Sequence, residues 1–209
     1  MQRIETMSGA QPSRGREAPG ETKTPLTAPP LYTIDNAATG ERVAFLEVTP
    51  ERTRILATLP PGRQNAPLHL HATFEETFEV VAGRLTIIAG DPKRPRVLAP
   101  GESAHVGLYV PHHARNETDE PVSFVVTVAP PRHYEAALRA TCGLARDGRT
   151  TKDGVPRNPF ELAQVALLAE SYLVGVPVPL QRGLFRALAA LGRWLGYRPD
   201  FPQYRRPTA

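Results

Sequence analysis

The chain has 209 residues, 41% of them hydrophobic and 22% charged, with a formal net charge of +4, which suits one folded core with appendages. The charge is too mild to indicate a nucleic-acid partner, and no apolar run reaches the ~18–20 residues of a membrane span. A single cysteine, Cys142, excludes an internal disulfide framework and suits a reducing compartment.

No apolar segment of signal-peptide type stands near the start, so the expected location is cytoplasmic. Residues 1–29 are rich in Pro, Gly, Ser, Thr and charge and cannot bury enough to offset ordering entropy; a mobile N-terminal tail is expected. Leu31–Asn36 reads as a first strand, closed by turn signals at Asp35-Asn36 and Thr39-Gly40. In Glu41–Val48, Val43, Phe45 and Glu47 alternate with Ala44, Leu46 and Val48, which suits a second strand. Arg52–Leu59 is a third, and Pro60-Pro61-Gly62 turns the chain.

Leu68–Gly83 reads L-H-L-H-A-T-F-E-E-T-F-E-V-V-A-G. Side chains two apart on a strand share a face, so His69 and His71 project together. After a turn at 72–75, Glu76, Phe78 and Val80 share one face, and Thr77, Glu79 and Val81 the other. Glu79 is more easily left in water, so the face of Phe78 is read as the inner one and carries Glu76 inward. A buried carboxylate needs a charge partner, and a divalent metal beside two imidazoles supplies one. Glu75 is the alternative carboxylate.

Arg84–Ala89 and Val97–Ala99 read as strands, with a turn at Gly90-Asp91-Pro92 between them. Pro100–Asn116 reads P-G-E-S-A-H-V-G-L-Y-V-P-H-H-A-R-N. His112, Ala114 and Asn116 share a face, and Arg115 is most easily left in solvent on the other face with His113. His112 is then the last inward ligand. The set His69, His71, Glu76 and His112 suits a divalent transition metal (Fe, Mn, Ni, Co or Zn) and fits Ca or Mg poorly. His105 is either a group that orients a ligand or a plain strand residue. Phe78, Val80 and Leu108 are candidate pocket walls, and Tyr109 either orients a substrate or packs. Val122–Val128 is a nearly continuous β-branched run, expected as a buried strand, and Pro130-Pro131 follows it.

From Arg132 the period becomes helical. Tyr134, Leu138, Cys142 and Ala145 predict a helix to about Arg146, ended by Asp147-Gly148. Asn158-Pro159 supplies an N-cap and a first-turn proline for a second helix, expected to run to about Val174. Beyond Pro177-Val178-Pro179 a third helix is expected to about Tyr197. Leu180, Leu184, Leu188, Leu191 and Leu195 form its apolar stripe, and Arg182, Arg186 and Arg193 a basic one. That apolar stripe is expected to pack on the barrel wall or a dimer partner, ahead of a lid over the barrel mouth or a membrane-surface contact. Pro199–Ala209 reads as a tail.

The two histidine-bearing stretches resemble the two motifs of the cupin superfamily. His69, His71, Glu76 and Gly83 match the His-x-His, Glu and Gly of the first. Gly101, Glu102, His112 and Asn116 match the second, with Gly107-Leu108-Tyr109 standing where Pro-x-Gly is usual. The segment Gly143–Thr150, "GLARDGRT", also resembles one in bacterial single-cupin proteins with a C-terminal helical extension. The resemblance implies a mainly β fold: a single cupin (double-stranded β-helix, jelly-roll) barrel over 30–131, with C-terminal α-helices over 132–209. It also implies a metal inside the barrel and a homodimer. The expected function is metal-dependent chemistry on a small organic molecule in the barrel, dioxygenase-type oxidation first and isomerisation or hydrolysis next. The alternative is a module that binds or senses a small molecule without turnover. No helix-turn-helix stretch is visible, so nucleic acid is not an expected partner.

Overall fold

The structure is a computed structural model, and it describes residues 29–198 and 201–204. The tail expected over 1–29 therefore lies outside the described residues except for Pro29, as does most of the one expected over 199–209.

Ten antiparallel strands precede the helices: β1 (Tyr32–Asp35), β2 (Arg42–Val48), β3 (Thr53–Leu59), β4 (His69–His71), β5 (Glu75–Ala82), β6 (Leu85–Ala89), β7 (Arg96–Leu98), β8 (Ser103–Val106), β9 (His112–Arg115) and β10 (Val122–Ala129). Then come α1 (Tyr134–Arg146), α2 (Pro159–Leu168), a further strand β11 (Ser171–Leu173), α3 (Val178–Trp194) and a 3-10 turn at Pro202–Tyr204. One sheet runs β1-β2-β3-β10-β5-β8 and the other β11-β4-β9-β6-β7. Their inner faces enclose one core, in which Phe45, Leu59, Phe74, Phe78, Leu85, Ile87 and Phe124 are buried. The fold is a single cupin β-barrel with a helical extension.

Period-two alternation governs which side chains enter that core. In β5, Glu76, Phe78 and Val80 point in and are buried, while Glu75 is exposed. In β9, His112 and Ala114 are buried and His113 and Arg115 only partly so. β10 pairs with both β3 and β5, so both its edges are hydrogen-bonded, and Val122, Phe124, Val125, Val126 and Val128 are buried.

The two motif turns show why their residues are needed. Gly83 has φ +78°, and a Cβ there would meet Pro121 O at 2.7 Å and Val122 Cα at 3.0 Å. Where Pro-x-Gly is usual, Tyr109 takes the glycine-like φ of 61°, and its N–H donates to His71 O at 2.8 Å. The turn survives without its glycine because the strand carrying His71 holds it.

The extension departs from expectation in three places: the end of the second helix, the packed face of the third, and residues 201–204 of the expected tail, which are packed. The second helix ends at Leu168 rather than near Val174, because Ser171–Leu173 pairs antiparallel with His71–His69 and completes the second sheet. Asn158 caps that helix as expected, accepting from Phe160 N and Glu161 N. In α3 the leucine stripe is not the packed one. Leu180, Leu184, Leu191 and Leu195 are 66, 57, 47 and 50% exposed; only Leu188 is half-buried. The packed face carries Gln181, Ala189 and Gly192, with Phe185 half-buried. Gln181 is held by Leu173 N, Leu173 O and Val176 O, and at Gly192 an added Cβ would stand 3.0 Å from Phe160. Close approach of small residues and a polar latch, rather than leucine burial, orients this helix. In the last described turn, Phe201 and Tyr204 are buried against α1 and α2. A Cβ on Gly143 would strike the Tyr204 ring at 2.4 Å, so the first glycine of Gly143–Thr150 makes room for that aromatic.

Candidate metal centre and its cavity

His69 and His112 stand directly opposite each other on neighbouring strands β4 and β9. His71 follows two residues on from His69, and Glu76 reaches across from the other sheet. The ligand-type atoms of these four residues all lie within 4.8 Å of one another. His71, Glu76 and His112 are buried, and His71 rests on the Phe74 ring at 4.1 Å between centroids.

Hydrogen bonds fix the imidazole tautomers. Nδ1 of His69 faces Pro67 O at 2.7 Å, that of His112 faces Val110 O at 2.9 Å, and that of His71 faces Glu170 O at 3.3 Å. A carbonyl oxygen can only accept, so each Nδ1 carries the hydrogen and each Nε2 presents its lone pair in the neutral ring. Those lone pairs converge. The Nε2 atoms of His69 and His71 are 3.1 Å apart, and Glu76 Oε2 lies 2.8 Å from His112 Nε2 and 3.7 Å from His71 Nε2. His112 Nε2, although that close to the carboxylate, is not aligned for a hydrogen bond. Three lone pairs and a carboxylate facing one point call for a cation. Ligands held roughly 2.1 Å from a common ion stand about 3 Å apart when adjacent, which these spacings fit. The backbone carbonyls hold the three rings in the orientation such ligands need.

The electrostatics agree. Burial, with the neighbouring imidazoles of His71 and His112, pushes His69 down to about 3. Burial works to raise Glu76, but His71, His112 and His69 outweigh it and hold the carboxyl at about 2. Burial works to lower His112 as well, but the Glu76 carboxylate outweighs it and raises that imidazole, so a bound metal would displace the proton this pair favours.

The cluster opens on a cavity of about 500 Å³, within the range of small-molecule sites. The barrel contributes Glu41, Ile55 and Val126; α1 contributes Tyr134, Ala137, Leu138, Thr141 and Cys142. The stripe Tyr134, Leu138, Cys142, seen in the sequence as helical periodicity, is therefore a cavity wall. Val165 and Ala166 of α2, Tyr172 of β11 and Phe185 of α3 complete it. The extension thus roofs the barrel mouth without its leucine stripe.

Of the other sequence candidates, none lines this cavity. Glu75 is exposed and its Oε2 lies 3.3 Å from His105 Nε2, on the outer face of the β5–β8 pair. His105 also meets Thr77 Oγ1 at 3.2 Å; alternation in β8 sends Ala104 and Val106 inward instead. Phe78 is core, with its ring 6.3 Å from that of His112, and Val80 is core as well. Leu108 and Tyr109 are 43 and 56% exposed in the turn. Asn116 builds the loop after β9, donating to Leu59 O and Glu120 O and accepting from Thr118.

Glu41 was missed as a site residue. It is 7% exposed and lies in phase with the inward Val43 and Phe45, so extending the β2 alternation one step back would have found it. Burial pushes its carboxyl up to about 8.

The pattern of the cupin domain family matches residues 55–128, which include all four clustered residues. No curated protein matches the chain. Among solved structures, TT1209 from Thermus thermophilus is similar at 26% identity, over 42% of this chain and 83% of that one, with a TM-score of 0.39. A cupin-superfamily sugar phosphate isomerase from Silicibacter pomeroyi is similar at 23% identity, over 50% and 67%, with a TM-score of 0.41. KdgF from Halomonas sp. is similar at 18% identity, over 44% and 79%, with a TM-score of 0.40. With its two-sheet barrel, its motif turns and the family match across the clustered residues, the chain contains a cupin-type domain.

Proposed function

We propose that the protein is a metal-dependent enzyme acting on a small, mostly apolar organic molecule in this cavity, with oxidation as the first reaction class. The observation that carries this reading is the convergence of three imidazole lone pairs and the Glu76 carboxylate at the floor of a walled cavity. When bound, a divalent transition ion polarises a coordinating oxygen of the substrate and, if redox-active, activates dioxygen. His69, His71, Glu76 and His112 hold the ion. The backbone carbonyls of Pro67, Glu170 and Val110 keep the three imidazoles in one tautomer. Tyr134, Leu138, Tyr172 and Phe185 exclude water and position the apolar part of the substrate.

Elemental mass spectrometry of the purified protein and of His69→Ala and His112→Ala tests the site. About one equivalent of a transition metal, lost in both variants, is expected; oxygen uptake by the loaded protein with candidate phenols and enols then tests the reaction. A wild type that holds no metal after reconstitution with Fe, Mn, Ni, Co and Zn overturns the reading.

One observation favours a second reading, a module that binds or senses without turnover. Burial keeps both Tyr134 and Cys142 protonated, so apart from the ligands only the carboxyls of Glu41 and Asp153 on the described wall are left to take a proton. Retained metal with no turnover would select it.

A further inference from the structure

A carboxyl outside the metal cluster also lines the cavity. Glu41 stands just before β2, and among the described residues its carboxyl has neither a hydrogen bond nor an ion-pair partner. Its surroundings are Tyr134 and Cys142 of α1, both close enough to feel its charge, with Asp153 of the 147–158 loop also on the cavity wall. The acids along the wall are Glu41, Glu76 and Asp153, and none of the described lining residues is Lys or Arg. Such a wall offers anionic ligands such as phosphates or carboxylates no counter-charge except at the metal. A buried carboxyl without a partner is costly. A hydroxyl meets the protonated carboxyl with a neutral hydrogen bond alone, whereas an ammonium meets the ionised form with donors and counter-charge together. The aromatic ring of Tyr134, close enough to Glu41 to feel its charge, suits a cation as well.

We propose that the ligand is an apolar amine whose protonated nitrogen pairs with Glu41 while its opposite end faces the His69–His71–Glu76–His112 cluster. This rests on reading the cavity as the ligand site and names the ligand's class. Since burial holds the Glu41 carboxyl protonated at neutral pH, capture of an ammonium releases about one proton.

Isothermal titration calorimetry on the full chain, metal-free and metal-loaded, tests this with 2-phenylethylamine, 2-phenylethanol and 3-phenylpropionate. The amine should bind about tenfold or more tighter than the alcohol and tighter still than the carboxylate. Titration at pH 7 in two buffers of different ionisation heat should show the released proton. Glu41→Gln, which keeps the shape, should abolish the preference, and Glu41→Asp should retain part of it. Equal binding of amine and alcohol, a preference for the carboxylate, a preference unchanged in Glu41→Gln, or no binding at millimolar concentration overturns the proposal. The amine preference should persist in metal-free protein and in His112→Ala. A protein without metal but with the preference sinks the enzyme reading alone, and a metal-loaded protein without it sinks this proposal alone.

Discussion

Replacing Glu41 by glutamine should stabilise the ligand-free protein, and by an amount that depends on pH. The carboxyl moves from an ordinary 4.5 to about 8 because burial disfavours its charge. At about 1.4 kcal/mol for each tenfold change, that displacement corresponds to roughly 5 kcal/mol as an upper bound. The direction follows from proton counting. Between 4.5 and 8 the folded chain holds a proton that the unfolded chain has released, so folding stability falls as pH rises through that window and levels off above it. His69 acts oppositely: its value drops from 6.5 to about 3, so its contribution is lost as pH falls through that range. Subtracting wild type from Glu41→Gln at each pH cancels the histidines and leaves Glu41. Urea unfolding of metal-free protein, followed by circular dichroism at unit steps from about pH 5 to 9, reads the difference. The variant's advantage should grow steadily and approach several kcal/mol at the alkaline end. A gap that stays flat within about 0.5 kcal/mol would refute the reasoning, since Glu41 would then ionise as freely inside the fold as outside it.

Two further substitutions probe the frame around the site. Gly83→Ala places a Cβ against Pro121 O and Val122 Cα at a positive φ, so a loss of about 2 kcal/mol or more is expected by urea unfolding; a neutral result would remove the steric account of this motif glycine. Leu184→Asp, on the open face of α3, should change stability by no more than about 0.5 kcal/mol, and a large loss would mean that the leucine stripe is buried in solution.

The barrel was legible because alternation and ligand chemistry agreed. Glu76, Phe78 and Val80 enter together, as do His112, Ala114 and Asn116, so a one-residue slip would have turned both motifs outward. The same rule placed Glu75 outside. His105 and Tyr109 were candidates only by nearness in sequence; one sits on the outward phase of β8, and the other is spent on a turn. The helices were harder to read. Periodicity found the wall of α1 but could not say that it faced a cavity. In α3 the largest hydrophobic stripe was the obvious face to bury, yet Gln181, Ala189 and Gly192 permit a closer approach than leucines would. Ser171–Leu173 carries too little signal of its own to be seen as a strand, and its pairing with β4 is a long-range contact that no local pattern contains.

That pairing bears on how the chain could be divided. The partner of Ser171–Leu173 is the three-residue strand that bears His69 and His71, and the carbonyl of Glu170 orients the His71 ring. A chain cut after Pro131 would leave β4 as a bare margin of the sheet, its main-chain groups open to a neighbouring molecule and one imidazole without its tether. Such a fragment should self-associate through that margin, and its histidines should hold a metal less tightly than those of the intact chain. Attempts to transplant this barrel, or to build a shorter version of it, therefore need to carry residues 170–173 along.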